Sequence, residues 1–373
     1  MLEEPSSYEK ASNLLSKLIS IPSPSGREEE LSYFIYEYLD GLGFNPILDE
    51  VYKTGQNVVV KLGRGDKLLI CGHLDTIPPL DMKEPYKPIV RNDRVYGRGA
   101  CDMKGGLTSM LLVLEELSRA KYEPDVTFAF VVDEEMYGRG AADLLIRGVD
   151  AKDCIILEPT SMDICVGNAG CVEFNLIFHG RSGHGACKEA ENTVISFLNF
   201  YKELEDKINL EFSISSDYPM SPILNLGRIE AGYSGWVIPW EVKADILIHF
   251  HPKIRYSKIL DFLRKEIKEY STRRNTEIRL EVIHGCDGFI TNSKYVNLLT
   301  EVHRRVLRIE PKHRVIESET DANALYYKAG IESIIYGPGE IKYAHSSEEN
   351  IKVKDIVDVA KVLKELLLEL NMN

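Results

Sequence analysis

The chain has 373 residues, of which 44% are hydrophobic and 28% charged, a composition typical of globular proteins and a length that suits one large and one small domain. The formal net charge of −13 argues against a nucleic-acid surface, because phosphates are bound by clustered Lys and Arg. The apolar stretches are far shorter than the roughly 20 residues of a membrane span, and no signal-like N-terminus is visible.

The seven cysteines form no C-x-x-C pair. An odd number without that spacing favours free thiols in a reducing compartment over a disulfide framework. We therefore expect a cytoplasmic protein that binds neither nucleic acid nor membranes.

The first half of the chain predicts alternating helices and strands. Residues 8–20 carry apolar side chains at helical spacing, and Ser25 with Glu28 predicts the capping box of a second helix that ends near Leu42. Further strands are predicted at residues 56–62, 67–71, 126–132 and 153–157, and helices at residues 105–118 and 140–147. This rhythm predicts an α/β fold whose mixed, mostly parallel sheet lies between layers of helices.

The pattern changes near residue 170. The elements predicted from there are a strand (171–179), a helix (191–207), two strands (223–231 and 240–251), a helix (256–273) and a strand (276–283). The order β-α-β-β-α-β predicts an inserted α+β domain of the ferredoxin-like type. We therefore expect this smaller domain at residues 170–284 and a discontinuous larger domain at residues 1–169 and 285–373.

Polar side chains stand where predicted strands end. His73 follows an apolar strand. If one ring nitrogen of His73 binds a metal, the carboxylate of Asp75 is placed to accept a hydrogen bond from the other ring nitrogen. Taken alone, this motif also fits an ordinary loop. Asp102 lies in a glycine-rich turn before a helix, and a phosphate-binding loop is disfavoured because neither G-x-x-x-x-G-K-[ST] nor G-x-G-x-x-G is present.

Three further segments carry the same types of side chain. Asp133, Glu134 and Glu135 follow one apolar strand, Glu158 follows another, and His345 comes after a Gly-Pro-Gly turn. Each could be a solvated surface charge. Together they give histidines and carboxylates at several strand ends, where ligands bind in α/β sheets. A donor set of His, Asp and Glu without Cys suits a catalytic zinc or similar divalent ion.

The five motifs together resemble one family in order and spacing. They read His73-x-Asp75, Gly97-Arg-Gly-Ala-x-Asp102-Met-Lys-Gly-Gly106, Asp133-Glu-Glu135, Glu158-Pro-Thr160 and Ala344-His345. The family is that of the dinuclear zinc amidohydrolases and exopeptidases, which includes acetylornithine deacetylase, succinyl-diaminopimelate desuccinylase and glutamate carboxypeptidase (peptidase family M20). The resemblance implies a zinc-exopeptidase-like fold with an inserted lid and dimerisation domain.

The resemblance also implies two Zn²⁺ ions per subunit, with Co²⁺ or Mn²⁺ as alternatives. Asp102 would bridge the ions, His73 and Glu158 would complete one site, and Glu135 and His345 would complete the other. Relatives have a cis peptide bond after the bridging aspartate, so we expect one between residues 102 and 103.

The catalytic roles implied by the resemblance fall on three residues. Asp75 would orient His73, and Glu134 would be the general base that takes the proton of a metal-bound water. His184, in a Gly-Arg-Ser-Gly-His segment, would reach the active site of the partner subunit in a homodimer formed through the lid. The other histidines are interpreted as structural or surface residues.

The substrate expected from the resemblance is a small N-acyl amino acid, with a carboxypeptidase or dipeptidase activity as the alternative. Trp236 and His249 replace Asn and Arg of many relatives, and Asn323 stands where deacylases often have Arg. Loss of two Arg clamps disfavours a succinylated diacid. Trp236 could equally be a core residue. A zinc-binding protein without catalysis and a two-metal phosphatase or nuclease are weaker alternatives.

Overall fold

The computed structural model describes residues 2, 5–51, 55–187, 190–215 and 217–370. Its helices are α1 (Pro5–Ser20), α2 (Glu29–Gly41), α3 (Gly105–Ala120), α4 (Arg139–Arg147), α5 (Thr193–Phe212), α6 (Tyr256–Arg274), α7 (Tyr295–Leu307), α8 (Asp321–Ala329) and α9 (Val353–Glu369). A kinked turn (Ala100–Lys104), in which Asp102 and Met103 have non-helical backbone angles, precedes α3, and a 3-10 turn (Ile341–Tyr343) lies between α8 and α9.

The strands of the described chain, in order, are β1 (Ile47–Glu50), β2 (Gln56–Leu62), β3 (Leu68–His73), β4 (Ile89–Arg91), β5 (Arg94–Tyr96), β6 (Val126–Val131), β7 (Asp153–Ile156), β8 (Ile164–Asn168), β9 (Gly170–His179), β10 (Gly183–His184), β11 (Ile223–Ala231), β12 (Val237–Ile238), β13 (Glu241–Phe250), β14 (Glu277–Cys286), β15 (Phe289–Ile290), β16 (His313–Ile316), β17 (Glu332–Ile335) and β18 (Asn350–Lys352). No described helix is both long and apolar enough to cross a lipid bilayer.

The chain divides into two compact units. The larger contains Met1–Val166, Thr291–Arg314 and Thr320–Asn373, and the smaller contains Gly167–Ile290 and Val315–Glu319. The smaller unit therefore extends a few residues beyond the predicted span of 170–284 at both ends. It also gains a short segment from later in the chain, which the sequence pattern does not indicate.

A mixed sheet forms the centre of the larger unit, in the order β1-β2-β6-β3-β7-β17-β8. Strands β6, β3, β7 and β17 are parallel to one another, whereas β1, β2 and β8 join the sheet by antiparallel pairing. All residues of β3, β6 and β7 are buried, because helices cover the sheet and leave these strands no solvent-facing side. The predicted mixed sheet is present, with its parallel pairing confined to the centre.

The smaller unit has the predicted element order β-α-β-β-α-β. Its four long strands form an antiparallel sheet in the order β11-β13-β9-β14. Its core is apolar, and the ring centroid of Phe178 lies 5.5 Å from those of Phe197 and Phe200. Alternate residues of β13 are buried, as expected for a sheet with one face on a core. Strand β11 lies at the edge of this sheet.

The prediction of a capping box at the start of α2 is wrong. The helix begins at Glu29, and the preceding residue, Glu28, accepts a hydrogen bond from the backbone N–H of Gly26. The Ser25 hydroxyl instead donates a hydrogen bond to Oδ2 of Asp75, at 2.7 Å. Ser25 has the spacing of a helix cap, but its side chain instead contacts Asp75, two residues after His73.

Candidate metal centre

Three parallel strands end at the same edge of the larger unit's sheet. Strand β3 ends at His73, β6 ends two residues before Asp133, and β7 ends two residues before Glu158. Because the three strands are parallel neighbours, their carboxyl ends lie together. The buried apolar strands thereby bring the polar residues that follow them into one site.

Asp102 lies between two histidines. Its Oδ1 is 3.1 Å from Nε2 of His73, and its Oδ2 is 3.3 Å from Nε2 of His345. The peptide bond between Asp102 and Met103 is cis, as expected from the resemblance. Each carboxylate oxygen therefore faces a different imidazole, an arrangement that suits a ligand shared by two cations.

Two glutamates flank the histidines. Glu158 Oε1 is 3.6 Å from Nε2 of His73, and Glu135 Oε2 is 3.1 Å from Nε2 of His345. Glu134 Oε2 lies 4.0 Å from Nε2 of His73. Oε1 of Glu158 is buried without a hydrogen-bond partner in the described part of the chain, which is costly unless a cation or a water contacts it. The donor set and this buried oxygen fit divalent metal ions.

The electrostatics of the cluster reflect its crowded carboxylates. Burial raises the pKa values of Glu134 and Glu158 well above their usual value, and neighbouring carboxylates act in the same direction against the attraction of His73. Burial alone would lower the pKa of His345, but its contacts with Asp102 and Glu135 raise it to about 10. Cations bound at this site would therefore displace protons from these three residues.

A glycine allows α3 to approach the end of β7. A Cβ atom on Gly106 would lie 2.4 Å from the backbone oxygen of Leu157, which is the residue before Glu158. No side chain fits at that distance. The glycine-rich segment thus allows the helix that follows Asp102 to pack against the strand end that carries Glu158.

Asp75 contacts the backbone of the acidic segment rather than the ring of His73. Nδ1 of His73 is 2.9 Å from the backbone oxygen of Asp75 and 3.7 Å from its carboxylate. The carboxylate accepts hydrogen bonds from the backbone N–H groups of Glu134 and Glu135, at 3.1 and 3.0 Å. The predicted hydrogen bond between the Asp75 carboxylate and His73 is therefore wrong, because Nδ1 of His73 lies at hydrogen-bond distance from the Asp75 backbone oxygen instead.

Replacing Asp75 by Ala should lower both stability and turnover. Asp75 is fully buried, and its loss leaves two backbone N–H groups without their acceptor, at a cost of about 1–3 kcal/mol each. Because these groups belong to Glu134 and Glu135, the segment should shift and metal affinity should fall by about 10–100-fold. Urea denaturation and metal titration would measure the two effects. Ser25→Ala removes one of the carboxylate's hydrogen bonds and should show a smaller change in both; equal effects would contradict this account.

Sequence reasoning missed a second buried carboxylate that organises the turn around Asp102. Oε1 of Glu349 accepts hydrogen bonds from the backbone N–H groups of Cys101 and Asp102, at 2.9 and 3.0 Å. Oε2 accepts from the N–H of Gly99, at 2.9 Å, and from the Arg98 guanidinium, at 2.7 Å. The only signal in the sequence is an acidic residue four positions after His345, which is indistinguishable from a surface charge.

The remaining predicted residues lie elsewhere. His184, in β10 of the smaller unit, is exposed, and its Nδ1 accepts a hydrogen bond from the N–H of Ala186 at 3.2 Å. Trp236 is 78% exposed, which excludes the interpretation as a core residue. His249 lies in β13, directly opposite Cys171 of β9. Asn323 completes a capping box with Thr320 at the start of α8.

A mixed α/β sheet with clustered His, Asp and Glu at its strand ends is typical of metal-dependent hydrolases. The chain belongs to peptidase family M20/M25/M40, whose model matches residues 69–369. It is accordingly a hydrolase of a family whose members are metal-dependent peptidases and amidohydrolases.

Known relatives cover nearly the whole chain. The N-formyl-4-amino-5-aminomethyl-2-methylpyrimidine deformylase of Bacillus subtilis is 27% identical, over 96% of this chain and 94% of its own. A probable carboxypeptidase of Emericella nidulans is 26% identical, over 97% of this chain and 91% of its own. A solved tripeptidase from Staphylococcus aureus superposes with a TM-score of 0.80 at 20% identity, covering 98% of this chain and 99% of that one, which confirms the fold.

Proposed function

We propose that the chain hydrolyses the amide bond of a small N-acyl amino acid with the help of two divalent metal ions. The observation that carries this proposal is the position of Asp102, whose two carboxylate oxygens face His73 and His345 separately. A carboxylate shared in this way is what a pair of adjacent metal ions requires.

The proposed ligands form two groups around Asp102. His73 and Glu158 would hold one ion, and His345 and Glu135 the other; zinc is the proposed metal because imidazole and carboxylate donors suit it, with cobalt or manganese as substitutes. When bound, the ions lower the pKa of water and polarise the scissile carbonyl.

Glu134 is the proposed proton carrier. Its backbone N–H is held by Asp75, while its carboxylate lies within 4.0 Å of His73 and is not in contact with His345. Burial raises the pKa of Glu134. We assign its carboxyl the role of accepting a proton from the attacking water and releasing it to the leaving amine. We assign the neighbouring Glu135, which contacts His345, the role of a ligand.

His184 is the proposed donor to the oxyanion, supplied by the partner subunit of a homodimer. Because Nδ1 accepts a hydrogen bond from Ala186, the neutral ring carries its proton on Nε2, which makes that nitrogen a donor. Strand β11 lies at the edge of the smaller unit's sheet with exposed Ile223 and Ile229, and an edge strand of this kind can pair with a second copy of the chain. We propose the cytoplasm as the location, since the seven cysteines are thiols.

The substrate class is proposed on the chemistry of the site and the names of the relatives. One relative is a deformylase of an N-formyl amine and another a probable carboxypeptidase, so the second candidate function is release of a terminal amino acid from a peptide. A succinylated diacid is disfavoured because Asn323, at the position where deacylases often carry Arg, caps helix α8.

The test combines metal content with a substrate screen. The protein would be incubated with acetyl-ornithine, acetyl-lysine and dipeptides, with and without chelator, and the products separated by chromatography. We expect chelator-sensitive amide cleavage, and elemental analysis should find about two fewer divalent ions in Asp102→Ala than in the original chain. Cleavage of dipeptides alone would select the second candidate. Equal metal content in both proteins, with no cleavage of any substrate, would overturn the proposal.

A further inference from the structure

The smaller unit contains a second cluster of potential metal ligands, separate from the centre described above. It consists of Cys171, His284, Cys286 and Glu319, and one ligand atom from each lies within 4.8 Å of the others. Cys171 is at the beginning of β9, and His284 and Cys286 are at the end of β14. All four belong to the smaller unit, because Glu319 is the last residue of its Val315–Glu319 segment.

Strand pairing brings the three β-sheet residues together. Cys171 and Cys286 are directly opposite each other in the antiparallel pair of β9 and β14, with their Sγ atoms 3.8 Å apart. His284 is two positions before Cys286 on the same strand, so both side chains lie on the same face of the sheet. This face therefore presents two sulfurs and an imidazole side by side.

Glu319 approaches the cluster from outside these two strands. Its Oε2 is 3.0 Å from Sγ of Cys171 and 2.9 Å from Nε2 of His284. Cys171 is buried and Cys286 is partly buried, whereas the His284 side chain is 52% exposed. The carboxylate thus closes the fourth side of a cluster that metal ions can still reach from solvent.

The distances agree with tetrahedral coordination. With zinc–sulfur bonds of about 2.3 Å, tetrahedral geometry places two thiolate sulfurs about 3.8 Å apart, which is the separation of Cys171 and Cys286. In such a site, Oε2 of Glu319 would lie a few tenths of an ångström farther from Sγ of Cys171 and from Nε2 of His284 than it does here. Small side-chain rotations would therefore make room for the ion. Thiolates select zinc over magnesium or calcium.

We propose that Cys171, His284, Cys286 and Glu319 form a structural zinc site. Four protein ligands leave no open coordination position, so the ion would not take part in hydrolysis. Bound there, it would tie β9 and β14 to the Val315–Glu319 segment, which joins this unit from a distant part of the sequence. The binding free energy would add to the stability of the smaller unit.

Cobalt titration of the metal-stripped full chain tests this site selectively. The centre around Asp102 has no cysteine ligand, so sulfur-to-cobalt charge-transfer absorption in the near ultraviolet reports the proposed site alone. We expect this absorption to rise and saturate as cobalt is added, at one cobalt per chain in Asp102→Ala, whose other centre has lost its shared ligand, and to disappear on addition of zinc. It should be lost in Cys171→Ser and in Cys286→Ser, with folding checked by circular dichroism. It should persist in Cys187→Ser, the control, because Cys187 is exposed and outside the cluster.

Two results would overturn the site. One is the absence of the absorption in the original chain with its thiols reduced. The other is its retention in a Cys171→Ser/Cys286→Ser double variant. An Asp102→Ala variant should keep the absorption, since the two sites share no ligand. Failure of this inference can therefore be distinguished from failure of the proposed hydrolase mechanism.

Discussion

Replacing Glu134 by Gln should reduce kcat by about 10²–10⁴-fold while the metal content of the protein stays unchanged. Glutamine keeps the size of the side chain but cannot take a proton from water. The Glu134 carboxylate lies 4.0 Å from His73 and outside contact with His345, so its loss removes no proposed ligand. Steady-state kinetics on the substrate found by the screen, with elemental analysis of the same sample, would measure both quantities.

The neighbouring glutamate provides the matched comparison. Glu135→Gln removes a group 3.1 Å from His345, and it should lower metal content together with turnover. The two adjacent variants are thus expected to separate proton transfer from metal binding. Unchanged turnover in Glu134→Gln, or loss of metal from it equal to that in Glu135→Gln, would sink the assignment of Glu134 as general base.

Much of this centre can be predicted from the sequence because its residues come directly after buried strands. The apolar runs before His73, Asp133 and Glu158 mark β3, β6 and β7, and parallel pairing then places their ends together. The order of the motifs identifies the family. An apolar run in the sequence therefore predicts the position of a site residue where that residue directly follows the strand.

The interactions between loops cannot be predicted in this way. Ser25 has the spacing of a helix cap, yet its hydroxyl bonds to Asp75, 50 positions away. The pairing of Cys171 with Cys286 spans 115 positions and depends on the register of two strands. A one-residue change of register would move one of these side chains to the other face of the sheet, and composition does not specify the register.

Glu349 shows how much of the site depends on such a contact. Its carboxylate is 1% exposed and accepts hydrogen bonds from the Arg98 guanidinium and from three backbone N–H groups of the turn, those of Gly99, Cys101 and Asp102. Glu349→Ala would leave the Arg98 charge, itself 1% exposed, without an anion. We expect a loss of about 3–5 kcal/mol in the free energy of unfolding, because an unpaired buried charge is costly. Chemical denaturation would measure it.

The same substitution should affect catalysis through Asp102. The N–H of Asp102 is bonded to Oε1 of Glu349, so the turn that directs the shared carboxylate toward His73 and His345 would lose its support. Metal affinity and turnover should therefore fall even where the variant remains folded. Glu348→Ala, at an exposed neighbouring position, should change stability by less than about 0.5 kcal/mol and leave metal binding intact. If Glu349→Ala is as stable and as active as Glu348→Ala, the turn around Asp102 is held by other contacts and Glu349 has no positioning role.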